Sequence, residues 1–349
     1  MAGRTAMRAQ EADLGANHEL AERAAIEGAV LLKNADDVLP LAKTSHLAVI
    51  GGFAEKPRFQ GAGSSQVKAA RLDAPLDALR AAVESAGGKL TYAKGFDADY
   101  AAPDQALIDE AVAAATDADA VVILAGLPGL FESEGFDRTT LDMPEQINAL
   151  IQAVSKTNPK TVVALSNGSP VLMPWLDDVS GVLEHYLAGQ AGAGALAKLL
   201  FGDANPSGKL AETFPVSLDS VPAHVDYGQP TRRVVYREGL NVGYRFYTSY
   251  DKPVLFPFGF GLSYTQFSLG TATLEGGDPS LSRPVDVMVP VTNTGGVAGA
   301  AVIQVYVRQK NASAFRPDRE LKGYQKLNLA PGETKEARIK LDRRAFAFW

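Results

Sequence analysis

Two kinds of periodicity predict an α/β domain, a mostly parallel sheet in an α/β/α sandwich, followed by an all-β sandwich. Up to about residue 215, short runs that are apolar on both faces alternate with stretches whose apolar residues recur at helical spacing. A parallel sheet covered on both sides by helices has that pattern. From Phe267 onward, apolar and other residues alternate, with a turn cluster after roughly every 8–12 residues, as in packed antiparallel sheets. The length agrees, because 349 residues exceed one ordinary domain.

The elements follow in order. His46–Gly51 reads as a buried strand. A helix is expected near Asp73–Pro75, with Asp73 as cap, Pro75 in the first turn, and Leu76, Leu79 and Val83 as its apolar stripe. Lys89–Ala93 is the next strand, and Leu107, Ile108, Val112 and Ala115 mark another helix. Ala120–Gly126 is the clearest buried strand. Asp142–Glu145 opens a helix bearing Ile147, Leu150, Ile151 and Val154, with Asp142 and Glu145 at capping-box spacing. Thr161–Leu165 and Gly181–Leu187 are two further strands, and Ala195–Phe201 a final helix. The breaker cluster Asn205–Gly208 follows.

The division is then an unassigned segment (1–16), an α/β domain (17–215), a connector (216–264) interrupted by Pro222, Pro230, Pro253 and Pro257, and a β domain (265–349). In the last, the valines at 285, 287, 289 and 291, then Ala301–Arg308, Leu321–Leu329 and Glu336–Leu341 read as strands. About five strands fit before Trp349, where a sandwich of about seven is usual, so the last strand or two is expected to be missing.

Composition excludes several functions. With no cysteine, thiol chemistry, disulfides and Cys-type metal sites are out. Forty acids against 34 bases give a net charge of −6, so nothing supports a general nucleic-acid or membrane-surface role. No apolar run is long enough to span a bilayer, and the first residues lack the apolar core of a secretory leader. The compartment stays open. The histidines, His18, His46, His185 and His224, share no metal-ligand spacing; His185 reads as a core or edge residue. No cofactor is expected.

Two loops carry the candidate chemistry. Phe131–Arg138 (FESEGFDR) follows the strand Ala120–Gly126, and open α/β sheets bind ligands beyond the carboxyl ends of their strands. Glu132, Glu134 and Asp137 beside aromatics could form an acid/base site, although on these residues alone a solvated charged loop is the simpler reading. Arg58–Ser65 (RFQGAGSS) follows the first strand. It satisfies neither phosphate-binding glycine fingerprint, and a plain flexible loop explains it as well.

The pieces resemble glycoside hydrolase family 3, the β-glucosidase type, in order and from about Asn17 to the end. They are Glu27–Asn34 (EGAVLLKN) with Leu39–Leu41, Phe59–Ser65 (FQGAGSS), Glu134–Arg138 (EGFDR), Asn205–Leu210 (NPSGKL), Val242–Tyr247 (VGYRFY) and Phe256–Tyr264 (FPFGFGLSY). The resemblance implies that the β domain is fibronectin type III-like. It also implies a retaining hydrolase acting on terminal β-D-glucosyl residues of a β-linked glucoside or oligosaccharide. Glu134 matches the general acid/base. Phe136 matches a position lining the leaving-group subsite. Asp137 and Arg138 match a pair holding the loop, and Arg58, on a loop near the active-site mouth, is expected to bind substrate. Glu132 receives no role. A neighbouring nucleophile and partial burial are expected to raise the pKa of Glu134.

In that family the nucleophile is an aspartate on a separate (β/α)8 barrel, and this chain has no such segment. The expectation is therefore a partner barrel, a chain that is part of a divided active site, and no turnover by the chain alone. The rival reading is a non-catalytic carbohydrate-binding or scaffolding protein of the same descent.

Overall fold

The computed structural model describes residues 12–99, 102–228, 233–277 and 283–347. Most of the unassigned segment 1–16 lies outside the described residues, as do Pro230 and Trp349.

The first unit runs α1 (Leu14–Gly28), β1 (Val30–Asn34), β2 (His46–Ile50), α2 (Pro75–Ser85), β3 (Lys89–Ala93), α3 (Gln105–Thr116), β4 (Ala120–Gly126), α4 (Glu145–Thr157), β5 (Thr161–Ser166), β6 (Gly181–Glu184) and α5 (Gly192–Leu200). These strands form one six-stranded sheet in the order β1-β6-β5-β4-β2-β3. β2 to β6 are parallel to one another, and β1 lies antiparallel on β6. α1 and α2 pack on α5, and α3 packs on α4, so each side of the sheet has its own helical layer. Every residue of β4 is buried, which is why its sequence is apolar on both faces rather than alternating.

Several local details depart from the sequence expectation. Asp73 does not cap α2. The cap position is Ala74, with Pro75 in the first turn, and the Asp73 carboxylate is drawn off by Arg71 Nε (2.7 Å) and His18 Nε2 (3.0 Å). Nor do Asp142 and Glu145 form a capping box. Pro144 occupies the cap position of α4, and Asp142 accepts a hydrogen bond from the hydroxyl of Thr140 at 2.6 Å. β6 stops at Glu184, short of Leu187, because Tyr186 takes a left-handed backbone at φ 56°. α5 begins at Gly192, ahead of Ala195. α1 and β1 are elements that the periodicity did not reveal. α1 buries only Ala25, so it lacks a strong stripe.

After α5 the chain forms β7 (Phe214–Pro215), α6 (Tyr244–Ser249) and β8 (Val254–Phe256). β7 and β8 pair, and Phe214 meets Phe256 edge to face at 6.3 Å. Both rings, with Leu210, belong to the core of the first unit, and Leu262 N donates to Leu31 O of β1 at 2.8 Å.

The last unit comprises β9 (Phe267–Leu269), β10 (Thr273–Gly276), β11 (Val285–Asn293), β12 (Gly299–Val307), β13 (Glu320–Leu329), β14 (Thr334–Leu341) and the short α7 (Arg343–Phe346). β9 and β10 share one edge of β11, whose other edge holds β14; β12 and β13 form a second antiparallel pair. Val287, Val289, Val291, Ile303, Leu329 and Ile339 fill a separate core. Here the two-residue period read from the sequence is the buried face of β11.

One topological fact positions the site. Among the parallel strands the spatial order is β3-β2-β4-β5-β6. Chain progression therefore reverses between β2 and β4. Crevices in open α/β sheets form at such a reversal, beyond the carboxyl ends of the flanking strands. The loops leaving β2 and β4 are the two that carry Arg58–Ser65 and Phe131–Arg138.

Candidate active site

Those two loops meet. The Glu134 carboxylate accepts hydrogen bonds from Ser64 N (2.7 Å) and from the Ser64 hydroxyl on the same oxygen. Gly63 makes the approach feasible. Its φ is +72°, and a side chain there would sit 2.6 Å from the Glu134 Cβ, so both backbone conformation and space demand glycine. Glu134 is exposed, and the two Ser64 donors hold its carboxyl below the ordinary carboxylate range, the hydroxyl contributing more. The expected upward shift depends on a nucleophile and a burial that these residues do not supply. Burial and a neighbouring carboxylate are what raise such a pKa. Here Glu134 is exposed, and the Ser64 donors favour the charged form.

The flanking residues divide into an exposed tip and a half-buried root. Phe136 is exposed, and Asp137, also exposed, accepts from the Tyr227 hydroxyl at 2.7 Å. Arg138 is half-buried. Its Nη1 donates to Ser169 Oγ (2.7 Å) and Pro170 O (3.1 Å) on the segment after β5, and desolvation lowers its pKa. Arg58 does not reach outward. Its guanidinium donates to Leu127 O (3.2 Å), Glu132 O (2.9 Å) and Gln60 O, tying the β2 loop to the β4 loop. Burial lowers its pKa.

Sequence reasoning named Glu132 without a partner and missed Glu184 and Glu212 altogether. The carboxylate of Glu132, assigned no role, accepts from Gly168 N (2.8 Å) and Ser169 Oγ (2.6 Å). Glu184, at the end of β6, is fully buried. It accepts from Asn167 Nδ2 (3.1 Å) and Tyr186 N (3.0 Å), and burial pushes its carboxyl well above the usual range. Glu212 is pushed up to about 7, first by burial and then by the charge of Glu132. Glu184 had a signal, an acid closing the apolar run Gly181–Leu183; Glu212 had none. His185 is buried with Nε2 on Gly192 O at 2.9 Å, and desolvation lowers its pKa to about 4. Among the described residues no group of three or more histidines and acids could hold a metal ion, and no helix is long and apolar enough to cross a membrane.

The domains that carry these loops have known relatives. The profile of the glycosyl hydrolase family 3 C-terminal domain matches residues 29–264. The chain belongs to glycoside hydrolase family 3. A fibronectin type III-like domain matches residues 301–349. Thermostable β-glucosidase B of Acetivibrio thermocellus is 48% identical over 340 residues, which are 97% of this chain and 44% of that protein. An exo-α-(1→6)-L-arabinopyranosidase of Bifidobacterium longum is 43% identical over 97% of the chain and 45% of its own length. The crystal structure of the family 3 β-glucosidase of Bifidobacterium adolescentis superposes with a TM-score of 0.92 at 43% identity, covering 99% of this chain and 50% of that one. A β-glucosidase from Streptomyces venezuelae, solved with D-glucose, gives 0.86 at 30% identity, covering 99% of this chain and 57% of that one. The chain thus spans about half the length of the relatives it matches, and among the described residues no sheet forms a (β/α)8 barrel.

Proposed function

We propose that this chain supplies the general acid/base, Glu134, of a retaining β-glycosidase that hydrolyses terminal non-reducing β-D-glucosyl residues. The nucleophile comes from a (β/α)8 barrel outside these residues. The observation that carries the reading is the meeting of the two loops at the sheet's reversal point. There the loops join through Glu134, an exposed carboxylate held by Ser64 of the other loop. The family membership and the β-glucosidases among the relatives support the reaction class.

Retention at the anomeric carbon needs two carboxyl groups about 5–5.5 Å apart. In the first step the barrel carboxylate attacks the anomeric carbon as protonated Glu134 gives its proton to the glycosidic oxygen. The C–O bond to the leaving group breaks, and a glycosyl-enzyme ester forms. In the second step the Glu134 carboxylate takes a proton from water, which attacks the anomeric carbon and frees the nucleophile. The Ser64 donors favour the charged form required by the second step. The first requires the proton to stay on at working pH, and a nearby nucleophile charge with a sugar closing off solvent supplies that shift.

Phe136, exposed beside the acid, is the proposed surface for the leaving group. Asp137, Arg138 and Arg58 hold the loop through Tyr227, Ser169, Pro170 and the Leu127 and Glu132 carbonyls. Glucose is the proposed sugar. The relatives include an arabinopyranosidase over the same portion, so the distinguishing contacts to the non-reducing sugar are assigned to the barrel.

The test uses an aryl β-D-glucoside and cellobiose. The chain alone turns over neither, and supplying the barrel restores both. In the assembled enzyme Glu134→Gln lowers kcat/KM for cellobiose by roughly 10²–10⁴-fold, and azide partly restores turnover of the aryl glucoside by Glu134→Ala. Full cellobiose activity in Glu134→Gln, or turnover by the purified chain without a barrel, overturns the reading.

A further inference from the structure

We infer that Glu132 is a positioning residue for Glu134: its carboxylate clasps the segment after β5 and fixes the root from which the acid projects. The inference rests on the role proposed for Glu134. It gives a function to an acid for which the sequence resemblance has none.

Four observations converge. First, both Glu132 carboxylate oxygens are used, and both donors, Gly168 N at 2.8 Å and Ser169 Oγ at 2.6 Å, belong to the segment after β5. Second, the Ser169 hydroxyl also accepts from Arg138 Nη1 at 2.7 Å. Residues on opposite sides of Glu134 therefore meet at one oxygen, which closes residues 132–138 into a short arch. Third, the Glu132 main-chain carbonyl accepts from Arg58 Nη2 at 2.9 Å, so the same residue is also fixed from the β2 loop. Fourth, a Cβ at Gly168 would lie 3.2 Å from both Glu132 carboxylate oxygens, so a side chain there would push the Glu132 carboxylate back by a few tenths of an ångström. The root is tied to two neighbouring segments, while among the described residues the carboxylates of the tip are held by Ser64 and Tyr227.

A general acid works only within hydrogen-bond reach of the departing oxygen, and a displacement of about 1 Å costs on the order of 100-fold. Loosening the root should therefore weaken proton delivery specifically. A carboxylate that merely stabilised the fold would affect every substrate alike.

The experiment compares kcat/KM for cellobiose, whose leaving group needs a proton, with that for 2,4-dinitrophenyl β-D-glucoside, whose leaving group departs without one. Glu132→Gln, Gly168→Ala and, as reference, Glu134→Gln are measured in the chain assembled with its barrel. Glu132→Gln and Gly168→Ala are expected to lower the cellobiose value by about 10-fold or more and to leave the dinitrophenyl value nearly unchanged. Gly168→Ala removes no polar group and acts by displacing the Glu132 carboxylate, so it decides the matter if Glu132→Gln does not fold. If Glu134→Gln is selective and the two root variants lower both substrates equally, or neither, the inference is wrong while the role of Glu134 stands. If Glu134→Gln is itself unselective, the proposed function fails and takes the inference with it.

Discussion

Glu132 and Glu134 stand two residues apart on one loop, yet they live in different physical regimes. Glu132 is half-buried, with donors from a neighbouring segment on both carboxylate oxygens. Glu134 is exposed, with one oxygen held by one serine. The root sits over other acids, Glu184 and Glu212, whose carboxyls are shifted upward; the tip carries a carboxyl shifted downward. The contrast teaches that placing an acid and tuning it are separate tasks, done here by different neighbours. Buried donors and cations decide where the loop stands. Exposed contacts, which solvent and a ligand can replace, decide how tightly the proton is held.

The sharpest way to break the contrast is at the root's cation. Arg138→Met removes the donor to Ser169 and Pro170 and leaves Glu132 and Glu212 with one positive charge fewer nearby. A loss of about 2 kcal/mol is expected, a fall of roughly 4–8 °C in melting temperature for a unit of this size. An unchanged melting temperature would mean that the root is not held electrostatically.

A smaller effect is expected from Glu212→Gln, and it depends on pH. The Glu212 carboxyl is raised from 4.5 to about 7, so between those values the folded chain binds more protons than the unfolded one. Its contribution to stability is complete below about 4.5 and is lost as pH rises to about 7. The neutral variant escapes that loss. Relative to wild type it should gain about 1–2 kcal/mol across this window, after allowing for partial solvation, and then level off. His185, neutral and buried with a pKa lowered from 6.5 to about 4, works in the opposite sense, losing stability as pH falls through that range. Glu184, also raised, slopes the same way as Glu212, so removing Glu212 brings the opposing slopes closer to balance. Denaturant melts at half-unit pH steps read both slopes.

The smallest effect is at the tip. Ser64→Ala removes the larger of the two bonds that favour the Glu134 carboxylate. A carboxyl titration followed by carbon NMR should show the Glu134 pKa moving up, with the melting temperature unchanged. A pKa that stays put would mean that the backbone N–H alone sets it.

How legible this was in the sequence depends on which physical effect made each feature. β4 could be read because burial on both faces writes an uninterrupted apolar run, Ala120–Gly126. β11 could be read because burial on one face writes alternation. α1 could not, since a helix that buries little besides Ala25 has no periodic imprint. The caps at Asp73 and Asp142 were misread because capping is a competition. Arg71 and His18 win the first carboxylate, and Pro144 displaces the second from the cap position. At the site, the loop bearing Glu134 was visible as a motif after a strand. The clasp was not, because Gly168 and Ser169 lie more than thirty residues from Glu132 and join it only through the pairing of β4 with β5. Likewise the expected rise in the Glu134 pKa assumed a charged neighbour that these residues do not provide.

The arch between Glu132 and Arg138 has one more consequence. Gly135 and Phe136, at its crown, bear on nothing in the core: Phe136 is exposed, and the space around Gly135 is empty. Gly135, at φ +95°, is tied to glycine by its backbone, but Phe136 can be exchanged while the feet stay planted. Preference for different leaving groups can drift among descendants of this scaffold by editing that position, with the proton donor kept on station throughout.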